Sequence, residues 1–197
     1  VVSSAASDVY KRQNSNDVNE AVLAADKARD NWSSLSLDER RKWLEKIANA
    51  LEARSDEIAK LESLDTGKPI KIARAVDASR SVANFRFFAE FSKDFHEQKF
   101  LMEDATNHVI FKPVGIAGLI TPWNLPLYLL SWKIAPAIVM GNTVVAKPSE
   151  LTPLTANLLA EVFDEVGLPA GVVNIVHGFG HETCLLYTSP SPRDRIR

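Results

Sequence analysis

Val114-Gly-Ile-Ala-Gly-Leu-Ile120, Thr143-Val-Val-Ala146 and Val172-Val-Asn-Ile-Val176 are the three runs whose reading decides the fold. The first is short, apolar and closed in by Pro113 and Pro122, which suits a buried parallel strand better than a helix. Pro126 opens a helical stretch ending around Gly141, and proline is pre-set for a first helical position. The second run is a strand. Thr152-Pro153 predicts the next helix start, with a capping hydroxyl and a first-turn proline, and Gly167 ends that helix. The third run is again a strand. Strand and helix alternating in this order predict an α/β fold: a parallel βαβαβ sheet with right-handed crossovers.

Upstream the chain reads as helices. Val18, Val22, Ala25 and Arg29 begin an amphipathic segment that continues to Trp32. Ser36 and Glu39 have the spacing of a capping box. The helix after them carries Leu44, Ile47, Ala48 and Leu51 on one face, with Arg40, Arg41, Glu45 and Lys46 on others. Ser55 is the expected cap of a second helix through Ile58, Leu61 and Leu64, ending near Gly67 with Pro69 just beyond. A longer helix is expected from about Ile70 to Phe91. The charges along these helices read as solvated faces. Lys99 to Met102 and His108 to Lys112, separated by the polar Glu103-Asp-Ala-Thr-Asn107, read as a β-hairpin.

The 197 residues carry 23 basic and 25 acidic side chains, a net charge of −2. Interspersed charges of that balance give no electrostatic case for a nucleic-acid partner. The most apolar stretch, Leu125 to Met140, contains Lys133 and two prolines, so it reads as a buried helix and no membrane span is expected. Cysteine is confined to Cys184, and a core without thiols fits a cytoplasmic protein.

Both termini read differently from the middle. Ser3-Ser-Ala-Ala-Ser-Asp-Val-Tyr-Lys-Arg-Gln13 and Cys184-Leu-Leu-Tyr-Thr-Ser-Pro-Ser-Pro-Arg-Asp194 resemble in-frame translations of the adapters used to prepare sequencing libraries. Residues 1–13 and 184–197 are therefore expected to be adapter-derived, leaving 14–183 as an internal piece of a longer protein. Such flanks are set aside before fold reasoning.

The strand ends carry the chemistry. Asn124 follows the first strand, Lys147 and Glu150 the second, and the Gly178-Phe-Gly180 turn the third. Ligands of open α/β sheets bind outside those carboxyl ends, so the set is a candidate nucleotide site. No G-x-G-x-x-G accompanies it, which argues against an ordinary dinucleotide-binding turn. His96, His108 and His181 lack ligand spacing, and no metal site is expected. His177 reads as a surface or satisfied loop residue.

Thr121-Pro-Trp-Asn-Leu-Pro126, Gly141-Asn142, Ala146-Lys-Pro-Ser-Glu150, Thr152-Pro153 and Gly171-Val-Val-Asn-Ile-Val176 together resemble the aldehyde dehydrogenase superfamily, and Asp65-Thr-Gly-Lys68 fits it upstream. The resemblance implies a partial Rossmann-like NAD-binding domain, residues 14–94 and 114–183, with 95–113 as a hairpin of the bridging oligomerisation element. It implies NAD as cofactor, a small-molecule aldehyde substrate and a homo-oligomeric parent enzyme. In that family a cysteine thiolate attacks the aldehyde, hydride passes to nicotinamide, and a glutamate activates the hydrolytic water. The family positions for that cysteine and glutamate lie downstream of the Gly-Phe-Gly turn, so this chain by itself is expected to be inactive.

By the same resemblance Asn124 supplies the amide that stabilises the developing oxyanion; its bland alternative is a turn residue bonding its own backbone. Lys147 and Glu150 correspond to the pair that holds the adenosine ribose, and a carboxylate at Glu150 would repel a 2′-phosphate, favouring NAD over NADP. Their alternative is a surface ion pair of little energetic value. Ile120, Thr121, Pro122 and Trp123 correspond to the cofactor groove, although tryptophan is more often core. Gly178 and Gly180 correspond to the turn near the adenine, with a purely structural turn as the alternative. Arg80 to Phe88 and Leu125 to Lys133 resemble the branch acting on 2-aminomuconic and 2-hydroxymuconic semialdehydes. Arg86 could face a carboxylated substrate, but a surface role is the preferred reading. The rival to an enzyme segment is a non-catalytic nucleotide-binding or interaction module.

Overall fold

Three helices come first in the computed structural model, which describes residues 13–95 and 97–183. They are α1 (Ser15–Ser34), α2 (Leu37–Ala53) and α3 (Ser55–Thr66). The expected long helix follows, but not as one regular α-helix: α4 (Ile70–Ile72) passes through a π-helical segment, Ala73–Ala78, into α5 (Ser79–Phe91). A two-stranded antiparallel hairpin, β1 (Gln98–Leu101) and β2 (Thr106–Val109), comes next. The rest alternates as β3 (Ile116–Ile120), α6 (Pro126–Val139), β4 (Thr143–Lys147), α7 (Leu154–Glu165), β5 (Val173–Ile175) and α8 (Gly180–Thr183). The flanking stretches, with Cys184, and His96 lie outside the described residues.

The sheet is parallel with β4 in the middle, Ile116 paired with Thr143 and Val144 with Val173. Strand alternation divides β4 between two cores. Val144 and Ala146 join the main core with Leu130, Ile134, Leu159 and Val162 of α6 and α7. Val145 turns the other way and meets Val18 and Ala25 of α1, with Val176 beside them. The sheet is therefore covered on both faces, by α1 on one and by α6 and α7 on the other. β4 is wholly buried, whereas β3, the run expected to be a buried strand, is an edge strand of partial burial with Ile120 exposed.

Local signals explain part of this. Ser36 and Glu39 form the expected capping box, the Glu39 amide donating to Ser36 Oγ at 3.2 Å and the Ser36 amide to Glu39 Oε2 at 2.8 Å. Leu44, Ile47, Ala48 and Leu51 are fully buried, each worth roughly 1–3 kcal/mol of hydrophobic transfer according to size. Gly67 takes a left-handed φ of 73° and closes α3 as expected.

Other expectations fail for physical reasons. Ser55 does not cap α3; it is already helical, and its hydroxyl donates back to the Glu52 carbonyl at 2.8 Å. Thr152 does not cap α7 either, and its Oγ1 is buried without a hydrogen-bond partner. Nor are all the helix charges solvated: Arg40, Glu62 and Asp77 are buried. Arg40 donates through Nε to the Val139 carbonyl at 2.8 Å, and Trp32 Nε1 donates to the Ile138 carbonyl at 2.9 Å. Both reach carbonyls in the last turn of α6, where a helix end leaves acceptor capacity unused.

One glycine is required by close approach. Gly171 has φ 87°, and a Cβ there would stand 2.4 Å from the carbonyl oxygen of Ala24 in α1. The hairpin, by contrast, projects with every residue of β1 and β2 exposed, and only its root is packed, with the Phe95 and Phe111 rings 4.8 Å apart.

Candidate functional site

The carboxyl ends of all three parallel strands meet. The Thr121 amide donates to the Lys147 carbonyl at 3.2 Å, and the Val176 amide to the Ala146 carbonyl at 2.8 Å. Residues 120–124, 147–150 and 177–180 therefore form one rim, as their place after consecutive strands predicts.

Lys147 and Glu150 are brought together, with Nζ 2.7 Å from Oε2. The lysine side chain is only 10% exposed and the glutamate 37%, so this is a half-sheltered pair at the rim rather than a fully solvated one. Thr121 is buried, and its Oγ1 has no hydrogen-bond partner. An unpaired buried hydroxyl costs free energy that folding alone does not recover, which is a common mark of a ligand contact. Pro122 and Asn124 are exposed, and so are Ile120 and Trp123 at 47% and 59%. Trp123 is thus not core, the alternative left open by sequence. No hydrogen bond ties the Asn124 side chain to its turn among the described residues. Lys133, the one charge of α6, donates from Nζ to the Ile120 carbonyl and braces the exit of β3.

The third loop is sterically tight on one side. A Cβ on Gly178 would stand 2.6 Å from Thr183 Cγ2 and 2.8 Å from the Gln13 carbonyl oxygen, so packing within the chain already demands glycine there. Gly180 faces open space. His177 is half-buried rather than on the surface. Its amide donates to Gln13 Oε1 at 2.6 Å, and burial, reinforced by the Lys147 charge, pushes its imidazole down to about 4.

Behind the rim lies an ionic cluster that sequence reading passed over. Glu62 is fully buried on α3. Its Oε1 accepts the Leu127 amide at 3.0 Å and the Thr155 hydroxyl at 2.8 Å. Lys68 Nζ donates to both Asp77 oxygens at 2.8 Å, and Asp65 Oδ2 accepts the Leu154 amide at 2.8 Å. The Asp65-Thr-Gly-Lys68 motif was visible in sequence; Glu62 was findable as the position one turn beyond Ile58 on the buried face. Arg86 lies on the surface, paired with Glu52 at 2.5 Å. No cluster of His, Cys, Asp or Glu suited to a metal ion occurs among the described residues, and no helix among them is long and apolar enough to cross a membrane.

A parallel sheet with covered faces and a polar rim at its strand ends defines a ligand-binding α/β domain. The chain belongs to the aldehyde dehydrogenase family, whose profile matches residues 4–190. It is 53% identical over 167 residues to the 2-aminomuconic semialdehyde dehydrogenase of Danio rerio, covering 83% of this chain and 34% of that protein. With the 2-hydroxymuconic semialdehyde dehydrogenase of Pseudomonas sp. strain CF600 it shares 44% over 182 residues, 89% of this chain and 37% of the relative. The NAD+ complex of an aldehyde dehydrogenase from Bacillus cereus superposes with a TM-score of 0.85 at 38% identity, covering 88% of this chain and 36% of that one. The chain thus spans about a third of the length of the curated relatives it matches.

Proposed function

We propose that this chain is the cofactor-binding part of an NAD-dependent aldehyde dehydrogenase that converts an aldehyde, a muconic semialdehyde in particular, to its carboxylic acid. The observation that carries this reading is the strand-end rim, where the Lys147–Glu150 pair stands beside the orphaned buried hydroxyl of Thr121. Those groups suit a dinucleotide. Glu150 would accept from the ribose hydroxyls and Lys147 would donate to the same sugar. Thr121 would find a partner for its hydroxyl, and Ile120, Pro122 and Trp123 would wall the groove. The open side of Gly180 leaves room for the adenine. When bound, NAD supplies the hydride acceptor.

Asn124 would donate its amide hydrogen to the aldehyde oxygen as negative charge develops there. A neutral amide fits the task, because it stabilises the oxyanion without surrendering a proton. The exposed hairpin, residues 95–113, fits the family's bridging element in a homo-oligomer, and a cytoplasmic setting fits the thiol-free core. The thiolate nucleophile and the glutamate base would be supplied by the rest of the parent protein. The names of the muconic semialdehyde relatives support the substrate class.

Steady-state assays test the proposal directly. The complete enzyme should form NADH with a muconic semialdehyde at a kcat/KM well above that for a short aliphatic aldehyde. The 197-residue chain alone should form none. Equal preference for the two aldehydes would remove the substrate assignment. Turnover by the chain alone that vanishes in Cys184→Ser would show that Cys184 is a working nucleophile and overturn the inactivity.

A further inference from the structure

The two loops at the head of the candidate site are not held by caps of their own. α6 begins without a side-chain cap from Leu125, and α7 without one from Pro153. Both N-termini are capped from α3 instead. Asp65 takes the Leu154 amide, while Glu62 takes the Leu127 amide of α6 and the Thr155 hydroxyl of α7 on one oxygen. Among the described residues Glu62 is thus the one side chain hydrogen-bonded to both helices. Its second oxygen has no hydrogen bond, and Lys68 at 4.0 Å is already spent on Asp77. A buried carboxylate so poorly compensated costs stability that an apolar residue would not. What it provides is directional: two donors from two helices converge on one acceptor.

Each helix it grips is entered from one half of the site. Residues 121–125 lead into α6 and residues 148–153 into α7, and the two segments leave the sheet side by side, where the Thr121 amide donates to the carbonyl of Lys147 at the end of β4. We propose that Glu62 is the positioning residue of this site, its shared carboxylate oxygen fixing the Thr121–Leu125 loop against the Lys147–Glu150 loop. The placement stands on this geometry alone; its catalytic consequence rests on the aldehyde-oxidising reading.

The placement is read by amide hydrogen exchange in the 197-residue chain. Glu62→Ala should speed exchange about 10-fold at both Leu127 and Thr121, the order expected for one lost hydrogen bond. Glu62→Gln keeps the acceptor oxygen and should stay near the parent. Thr155→Val removes only the α7 half of the grip, leaves the buried carboxylate in place, and should move Thr121 in the same direction. Acceleration confined to Leu127, or an unmoved Thr121 in Thr155→Val, would reduce Glu62 to a local cap and overturn the proposal.

The consequence is read in the complete enzyme by single-turnover acylation, with Asn124→Ala measured alongside. Glu62→Ala should slow acylation about 10- to 100-fold per folded molecule, as misplacement of a catalytic group does, with a smaller effect on NAD affinity and recovery in Glu62→Gln. Normal acylation in Glu62→Ala with impaired Asn124→Ala would overturn the proposal and leave the function standing. Faster exchange at both amides with normal acylation in both variants would support the placement and remove the oxyanion role of Asn124.

Discussion

Glu62 and Lys68 stand 4.0 Å apart in the core, too far for a hydrogen bond, because the lysine is held by both oxygens of Asp77. Burial therefore dominates Glu62 and raises its carboxyl to about 7, with the Asp77 charge adding to the shift and the Leu127 and Thr155 hydrogen bonds and Lys68 opposing it.

That protonation has a measurable signature in stability. A raised carboxyl means the folded state keeps a proton that the unfolded state has lost. Glu62 thus contributes fully below about pH 4.5, and its contribution falls as pH rises to about 7, on the order of 3 kcal/mol in all. Asp65, also raised by burial, acts in the same direction. His177 does the opposite: its lowered imidazole contributes fully above about 6.5 and is lost as pH falls through about 4. Between those limits the effects oppose each other. Urea melts across this range should show a modest slope for the parent, stability rising with pH in Glu62→Gln, and stability falling with pH in His177→Gln. Parallel curves for all three would refute both assignments.

Gly171 and Gly167 share positive φ, 87° and 72°, but differ in surroundings. Gly167→Ala meets nothing within 4 Å and should cost only the left-handed strain, about 1–2 kcal/mol. Gly171→Ala adds a collision with the Ala24 carbonyl and should cost roughly 2 kcal/mol more, by forcing α1 off the sheet. Equal losses in chemical denaturation would mean that α1 yields freely.

Cofactor choice is tested at Glu150 in the complete enzyme. On the proposed ribose contact, Glu150→Gln would remove the repulsion between a carboxylate and a 2′-phosphate and should narrow the preference for NAD over NADP, by about 10-fold if the lost repulsion is worth ~1.4 kcal/mol. An unchanged ratio of the two affinities would place Glu150 away from the ribose.

Asn124→Ala, in the same enzyme, would on the proposed role delete one donor from the developing oxyanion. Acylation should fall roughly 100- to 1000-fold, with NAD affinity little changed. A lower melting temperature with parental acylation would make Asn124 a turn residue instead.

The order of elements was legible because it rests on local signals: the apolar runs, Pro126, the Ser36–Glu39 box and Gly67 all act within a few residues of themselves. Most of what failed was long-range. Ser55 and Thr152 are good capping residues by type, yet one is absorbed into its helix and the other is superseded by Asp65, distant in sequence. Glu62 looked like surface because charge is usually solvated; only its one-turn spacing from Ile58 placed it inside. At the site, sequence brought Lys147 to Glu150, lined up the strand ends and put Trp123 on the groove wall, but it gave no sign that Thr121 would bury an unpaired hydroxyl.

The two-sided burial of β4 has a consequence for how the chain is made. α1 is synthesised well before the strands it covers, and Val18 and Ala25 have no partners from the sheet until Ile116, Val145 and Val176 have followed. Contacts so distant along the chain form slowly, after the intervening loop has closed. During translation α1 is thus an exposed amphipathic helix waiting for its sheet, and a surface open to a chaperone.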